Sequence, residues 1–461
     1  MTLGYVALLV VFGDALSKPF FRYVSGIHRL ATAFLVGLIA STWLTYLAAS
    51  CFASASTEPL LPANQLTVAL MGAATALSLA LGWLRGRRDS DRPVANIRPV
   101  PGSRDQLWDW AVVGLIGALV TWMMVSTFGY RDGVLAIGTH EWGDLGPNTQ
   151  IAQSFALGNN FPTAYPTFAG VSIPFHFLFY FQVGNLTFLG LDPAAANNLL
   201  STASLVAMLA LVMALGRRLF SSAVIGRVAA LLYFFHGAMS FVPYLASFAS
   251  PAEALAGIGR LDHYLSSGFP YRGEEWGIWS QQLSLQQRHL ASAIGIVLIV
   301  LLFLIDRLQQ TNASRDSTSW STPRAIRSIA GRWRSGPGGQ ILANLGQPGR
   351  IRTGLSDSAL PGYVLCGVLL GLLPLWNGAI FIACGVVLAA LFVLVPIRAQ
   401  MVVLAAAATL PAIPQILFLR QPGLSGGAQF PTFHWGYVVD PPTLVNIAAY
   451  LLFIFGPKLL L

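Results

Sequence analysis

Charge is what this sequence has least of. Only 10% of its 461 residues are Asp, Glu, Lys or Arg, against about 25% in a soluble globular domain. A chain so short of charge, and 55% hydrophobic, is not a soluble domain. Its apolar runs reach or approach the roughly 20 residues that cross a bilayer. Cysteine is scarce too. Cys51, Cys366 and Cys384 show no metal-site spacing, and an odd count argues against a disulfide framework. No basic residue precedes the apolar N-terminus; Lys18 and Arg22 follow it. That is a poor signal peptide and a fair first span starting outside. The alternating pattern of a membrane barrel is missing, as are internal repeats. Helices are the default, because backbone groups in lipid must be satisfied within the segment. The net charge of +9 comes from Arg residues in a few inter-helix connections, a positive-inside bias. With no basic, aromatic-interleaved soluble region, a nucleic-acid partner is not expected.

What is present is a series of apolar stretches. They lie near Leu3–Leu16, Leu30–Ala49, Leu66–Leu84, Trp110–Phe128, Ala194–Gly216, Val224–Phe241, Leu290–Ile305, Tyr363–Trp376, Ile380–Val395, Met401–Leu419 and Leu444–Phe455. They predict an all-α polytopic membrane protein of about 11 transmembrane helices, forming a single transmembrane domain over residues 1–461. Pro411 and Pro414 should kink the tenth by removing backbone donors. With that number of spans, the connections carrying Arg22, Arg29, Arg85–Arg104, Arg217, Arg218, Arg227 and Arg398 all fall on one side. That side is expected to be cytoplasmic. It also takes the 306–360 connection, rich in Arg, Ser and Gly, expected to be poorly ordered or to lie on anionic headgroups. Pro174–Gly190 is apolar enough to be a further span, but counting it would put Arg217 and Arg218 outside. It is therefore expected as a helix in the outer interface, with His176, Tyr180 and Thr187 on one wetted face.

Three outer loops remain: 129–193, 243–289 and Arg420–Pro442. Of the seven histidines, His140, His176, His263, His289 and His434 fall there, His236 lies near an outer helix end, and only His28 is cytoplasmic. This segregation points to a polar outer cavity over a membrane domain. The densest cluster is His140, Glu141 and Asp144. A carboxylate there can act as a general base on an incoming hydroxyl or amine, or join a metal site; a divalent cation is the one cofactor to consider, and none is certain. His140 and Asp144 share a face if this part is helical. The plainer alternative is that Asp144 caps a helix starting near Pro147. Gln287, Arg288 and His289 come next. Arg288 can hold a lipid phosphate through forked hydrogen bonds or merely anchor at the interface. Glu274, Glu275, Trp276 and Trp279 can line a sugar site, or form an aromatic belt. Phe433, His434 and Trp435 carry the same two alternatives. Trp376-Asn377-Gly378 reads as a tight turn between two spans.

Three blocks resemble a known family. Gly143-Asp144-Leu145, Ser154-Phe155-Ala156-x-Gly158-x-Asn160-Phe161-Pro162, Pro166-x-Phe168-Ala169-Gly170 and Phe175-His176-Phe177 resemble the first outer loop of bacterial multi-pass proteins grouped with the GT-C glycosyltransferases. Gln286-Gln287-Arg288-His289-Leu290 and Gly371-Leu-Leu-Pro374-Leu-Trp376-Asn377-Gly378 resemble later blocks of the same proteins. The resemblance implies a GT-C-like fold and transfer of a sugar from a polyprenyl-phosphate-linked donor. The acceptor, a glycan, lipid or protein, would meet it on the outer face of a bacterial plasma membrane. Asp144 matches the family's acidic residue that acts as base or orients the acceptor, and Arg288 maps to the basic residue near the donor phosphate. Glu141 and His140 would tune Asp144, with His176, His289 and Glu275 lining the substrate site. The competing expectations are a transporter or flippase for a lipid-linked or small polar substrate, and a non-catalytic scaffold. Span centres nearly free of charge rank transport lower, because transporters place charge near the midplane.

Overall fold

The computed structural model describes residues 2–88, 103–168, 170–266, 277–316, 359–395, 397–420, 439 and 441–456. Seven helices among the described residues are long and apolar enough to cross a membrane: α2 (Gly26–Phe52), α3 (Leu60–Arg88), α4 (Ser103–Thr127), α7 (Pro193–Phe220), α12 (Leu290–Asp316), α14 (Pro374–Leu394) and α15 (Arg398–Leu419). Four apolar helices are shorter: α1 (Thr2–Ser17), α8 (Ala223–Phe234), α13 (Leu360–Gly371) and α16 (Leu444–Phe455). Each apolar stretch of the sequence thus contains a helix. Between them lie the hairpin β1 (Phe128–Arg131) and β2 (Val134–Ile137), the helices α5 (Trp142–Ala156) and α6 (Leu178–Phe188), and the short helices α9 (Phe241–Ala246), α10 (Pro251–Ile258) and α11 (Trp279–Gln286). The chain is an all-α polytopic membrane protein, with one small hairpin among the described residues. Its contacts group into two compact units: Met1–Ala229 with His289–Gly423, and Ala230–Arg288 with Leu424–Leu461.

Within the first unit, α2, α7 and α12 are central, with 67–72% of their apolar windows buried. In α3, α4, α14 and α15 only 11–22% is buried. Their outward residues are large and apolar, such as Leu79 at 68% exposed, Ile382 at 68% and Leu410 at 78%. Apolar faces of that extent belong against lipid rather than water. Helix starts carry local signals. Ser25 accepts a hydrogen bond from His28 N, and Asp192, just before Pro193, accepts one from Ala195 N at 2.8 Å, so free first-turn amides are satisfied by side chains.

The α1–α2 crossing is made by small residues. A side chain on Gly13 would run into the backbone of Ala33, and one on Gly37 into the backbone of Leu9. Without a hydrophobic drive between helices in lipid, such close backbone approach supplies dispersion contacts instead. A forked ion pair, Arg29 to Asp14 at 2.6 Å, ties the ends of this pair. A second charged cluster joins α4, α7 and α8: Arg217 meets Asp109 at 3.0 Å, and Arg227 meets Asp105 at 3.1 Å and Asp109 at 3.3 Å. Arg218 of α7 pairs with Asp306 of α12.

Two expected spans end early. The stretch read as Val224–Phe241 is helical only to Phe234. The hydroxyl of Ser280 donates to the carbonyls of Phe234 (2.9 Å) and His236 (3.1 Å), replacing the next turn. The stretch read as Tyr363–Trp376 stops at Gly371, and Pro374 opens the next helix, a position where its missing N–H does no harm. Gln415 of α15 holds this break. Its Nε2 donates to the carbonyls of Gly371 (2.7 Å) and Pro411 (2.6 Å), and its Oε1 accepts from Leu375 N (3.0 Å). The expected turn at Trp376-Asn377-Gly378 is a kink inside α14. Asn377 is extended, and its Oδ1 accepts from Ile380 N at 2.9 Å.

Gly13→Leu or Gly37→Leu should force α1 from α2, at about 1–3 kcal/mol or more of overpacking. A lower thermal midpoint of the purified protein in nanodiscs checks this. Gly4→Ala, on the same helix with open space around it, should leave the midpoint unchanged.

Candidate functional site

The cluster His140-Glu141-Asp144 is placed by the hairpin. Asp132 and Gly133 take positive φ of 52° and 77° between the paired residues Arg131 and Val134, the conformation a two-residue hairpin turn with the right twist demands. The hairpin returns the chain to the end of α4, where Gly138 N donates to Thr127 O at 2.8 Å. A turn follows, Glu141 N to Gly138 O at 3.1 Å, and α5 begins at Trp142. Leu145 fixes that start: wholly buried, it packs with Phe128 and Ala194, flanked by Leu135 and Ile137. Asn198 of α7 adds a bond from its Nδ2 to Phe128 O at 2.7 Å.

This corrects the capping alternative. Asp144 lies in the first turn of α5 and Pro147 lies inside the helix, so Asp144 does not cap a helix starting at Pro147. The buried Leu145 pulls the start forward. His140 is in the turn before α5, so no helical i, i+4 face joins it to Asp144. His140 is exposed, Glu141 is 5% exposed with its carboxylate against Gly138, and Asp144 is half-buried. A carboxylate in a first turn is favoured by the positive end of the helix dipole. Either side of Asp144, Gly143 and Gly146 face open space. Among the described residues, no group of three or more His, Cys, Asp and Glu is placed to hold a metal ion.

The segment after α5 is held by aromatic packing. Phe155 meets Phe181 at 5.1 Å and Phe161 at 5.5 Å, and Tyr46 of α2 meets Phe181 at 5.2 Å. Asn160 staples the loop, its Nδ2 donating to Ala164 O (2.7 Å) and its Oδ1 accepting from Ala164 N (2.8 Å). The chain then enters α6, whose residues Leu178–Leu186 are all buried. Of the expected wetted face, Tyr180 is 1% exposed, while His176 and Thr187 are half-buried. A helix apolar on nearly all sides buries all of them, and α6 packs against α2, α5, α7 and α14.

That burial brings two imidazoles together. The rings of His176 and His289 lie 4.3 Å apart, and the Tyr180 hydroxyl is 3.2 Å from His289 Nδ1. His289 is 1% exposed, and its Nε2 has no hydrogen-bond partner. Its backbone is set by Ser292, whose Oγ donates to His289 O at 2.8 Å and accepts from Trp376 Nε1 at 2.8 Å. Ser292 escaped the sequence reading, since a serine in an apolar helix carries no local signal. Burial pushes His176 down to about 4 and holds His289 well below the usual imidazole range, with His176 adding to the effect. Both rings are neutral near pH 7 and suit a neutral hydrogen-bonding group better than an anion.

Arg288 belongs to the other compact unit. It is 1% exposed, with Nε donating to Leu285 O at 3.2 Å, so it does not snorkel at an interface. Glu275, with Glu274, Trp276, Phe433, His434 and Trp435, lies outside the described residues.

The depressed imidazoles make stability pH-dependent. Unfolded, both histidines take up protons near pH 6.5; folded, His176 does so only near 4, and His289 is held well below its ordinary value. Their contribution is full above pH 6.5 and is lost as pH falls towards 4. The thermal midpoint should fall across that window, and less steeply in His289→Asn. An unchanged slope in that variant would contradict the buried neutral pair.

No family model, no curated protein and no solved structure matches this chain.

Proposed function

We propose that the protein is a membrane glycosyltransferase, moving a sugar from a polyprenyl-phosphate-linked donor to an acceptor on the outer face of a bacterial plasma membrane. One observation carries most weight. Asp144 sits half-buried at the start of α5, directly after a hairpin that closes off the membrane helix α4. A carboxylate held there meets both a lipid-borne donor and a water-borne acceptor. In the reaction, an acceptor hydroxyl attacks the anomeric carbon, its proton passes to Asp144, and the bond to the phosphate oxygen breaks. The polyprenyl phosphate leaves with that electron pair. Gly143 and Gly146 leave the flanks of Asp144 bare for the acceptor. Glu141 supports the turn that aims it. The four shorter helices are counted as crossings too, which keeps the Arg-rich connections on one side. The sequence blocks that resemble the GT-C group support the donor class.

Asp144→Asn should lower transfer about 100-fold or more in nanodiscs supplied with polyprenyl-phosphate sugars. Expression and thermal midpoint should be unchanged. Full activity in that variant would sink the assignment.

Transport has one observation in its favour. Gln182 is wholly buried with neither carboxamide atom partnered, and the neighbouring Asn185 bonds Asn64 at 2.7 Å. Such an uncharged polar seam can pass a neutral solute. Movement of substrate into sealed vesicles, with no covalent product, would favour this reading over transfer.

A further inference from the structure

The second compact unit, outside the proposed transfer chemistry, contains a cavity of about 460 Å³. It lies where α8 gives way to irregular backbone. From Phe235 to Ser240 the chain is not continued as helix, and its amides bond elsewhere: Ala238 N to Gly277 O at 2.8 Å, and Met239 N to Phe453 O at 2.7 Å. The backbones of Gly237 and Gly277 press together so closely that a side chain on Gly237 would strike the Gly277 carbonyl. Leu265 packs on Gly277 in turn, its carbonyl 2.8 Å from where a Cβ would stand. A helix is thus interrupted and its loose ends satisfied by neighbours, and the interruption opens a space instead of filling one.

The walls are apolar: Phe235, Phe241, Leu261, Leu265, Ile278 and Phe455. Three polar side chains join them: Ser240, His263 and Tyr264. Tyr264 is engaged, its hydroxyl donating to Gln281 Oε1 at 3.0 Å. His263 is paired with Asp262 at 2.5 Å. Ser240 differs. It is 7% exposed, and its hydroxyl is buried without a hydrogen-bond partner. Buried hydroxyls are nearly always partnered, and one left unpaired is unfavourable until something bonds it. No Arg or Lys is among the described lining residues, so the described wall offers an anionic head no fixed cation.

From this we infer that the cavity is a binding site for a neutral single-chain amphiphile, such as a monoacylglycerol. The aliphatic chain lies against the aromatic and aliphatic wall, and a hydroxyl or carbonyl of the head meets Ser240. The volume falls in the ~300–1,000 Å³ range of single small-molecule sites, which are apolar with a few placed polar groups. The site does not depend on glycosyl transfer, and it stands if that reading falls.

The test is photolabelling of the full chain in nanodiscs with a diazirine-bearing monoacylglycerol, followed by peptide mapping. Label is expected on peptides covering 235–241 and 261–265. Ser240→Ala should reduce it about fivefold, for the loss of one hydrogen bond, and Ser240→Thr should retain it. Leu261→Trp, at a partly exposed position of the wall, should abolish it by filling the space. If that variant does not fold, the Ser240 pair decides alone. Label spread evenly over the lipid-facing helices, or unchanged in Ser240→Ala, would overturn the site. Stronger labelling by a diazirine fatty acid than by the monoacylglycerol would overturn the neutral head.

Discussion

Wherever a helix stops inside an apolar surrounding, its free amides and carbonyls must find partners other than water. The whole arrangement turns on how that demand is met. Ser280 receives the loose carbonyls at the end of α8, and Gln415 serves two backbone groups at the α13–α14 break and one on its own helix. Asn377 restarts α14. These side chains decide where the chain can bend, and bends are where chemistry-bearing residues leave the helical lattice. His289 is an instance: the Ser292 hydroxyl that donates to its carbonyl accepts from Trp376 in the first turn of α14, which the Gln415 staple has just positioned.

Charge follows the same economy. Among the described residues the ionic groups near helix ends meet one another: Asp14 with Arg29, Asp109 with Arg217 and Arg227, Arg218 with Asp306. Pairs of this kind, partly buried, contribute less to net stability than to specifying which helices adjoin, since desolvation offsets much of the attraction. What is left buried and polar along the helices, such as Asn64, Gln182 and Asn185, is uncharged.

Much of this was legible in the sequence because hydropathy is local. Every apolar stretch from Leu3 to Phe455 contains a helix, and all but two run as helix for nearly their full length. The hairpin carried a local signal as well, Asp132-Gly133 between short apolar segments, and a closer reading would have found it. Other features are products of packing and carry no local signature. Phe234 and Gly371 end their helices because of residues 46 and 44 positions away, Ser280 and Gln415. The burial of α6 depends on four other helices, so its apolar composition alone could not separate an interfacial helix from a core one. For the candidate site, the cluster at Asp144 was visible as a run of polar residues. The meeting of His176 with His289 was visible only as two members of one list; their contact depends on α6 being buried.

The bond from Asn198 to Phe128 and the shared packing of Phe128, Leu145 and Ala194 bind the start of α5 to α7. The carboxylate of Asp144 is therefore geared to a membrane helix, not to the loop that carries it. A long helix answers a thinner or thicker bilayer by changing its tilt. The start of α5 is pinned to α7 by these contacts, so a change in the tilt of α7 bears on where Asp144 stands.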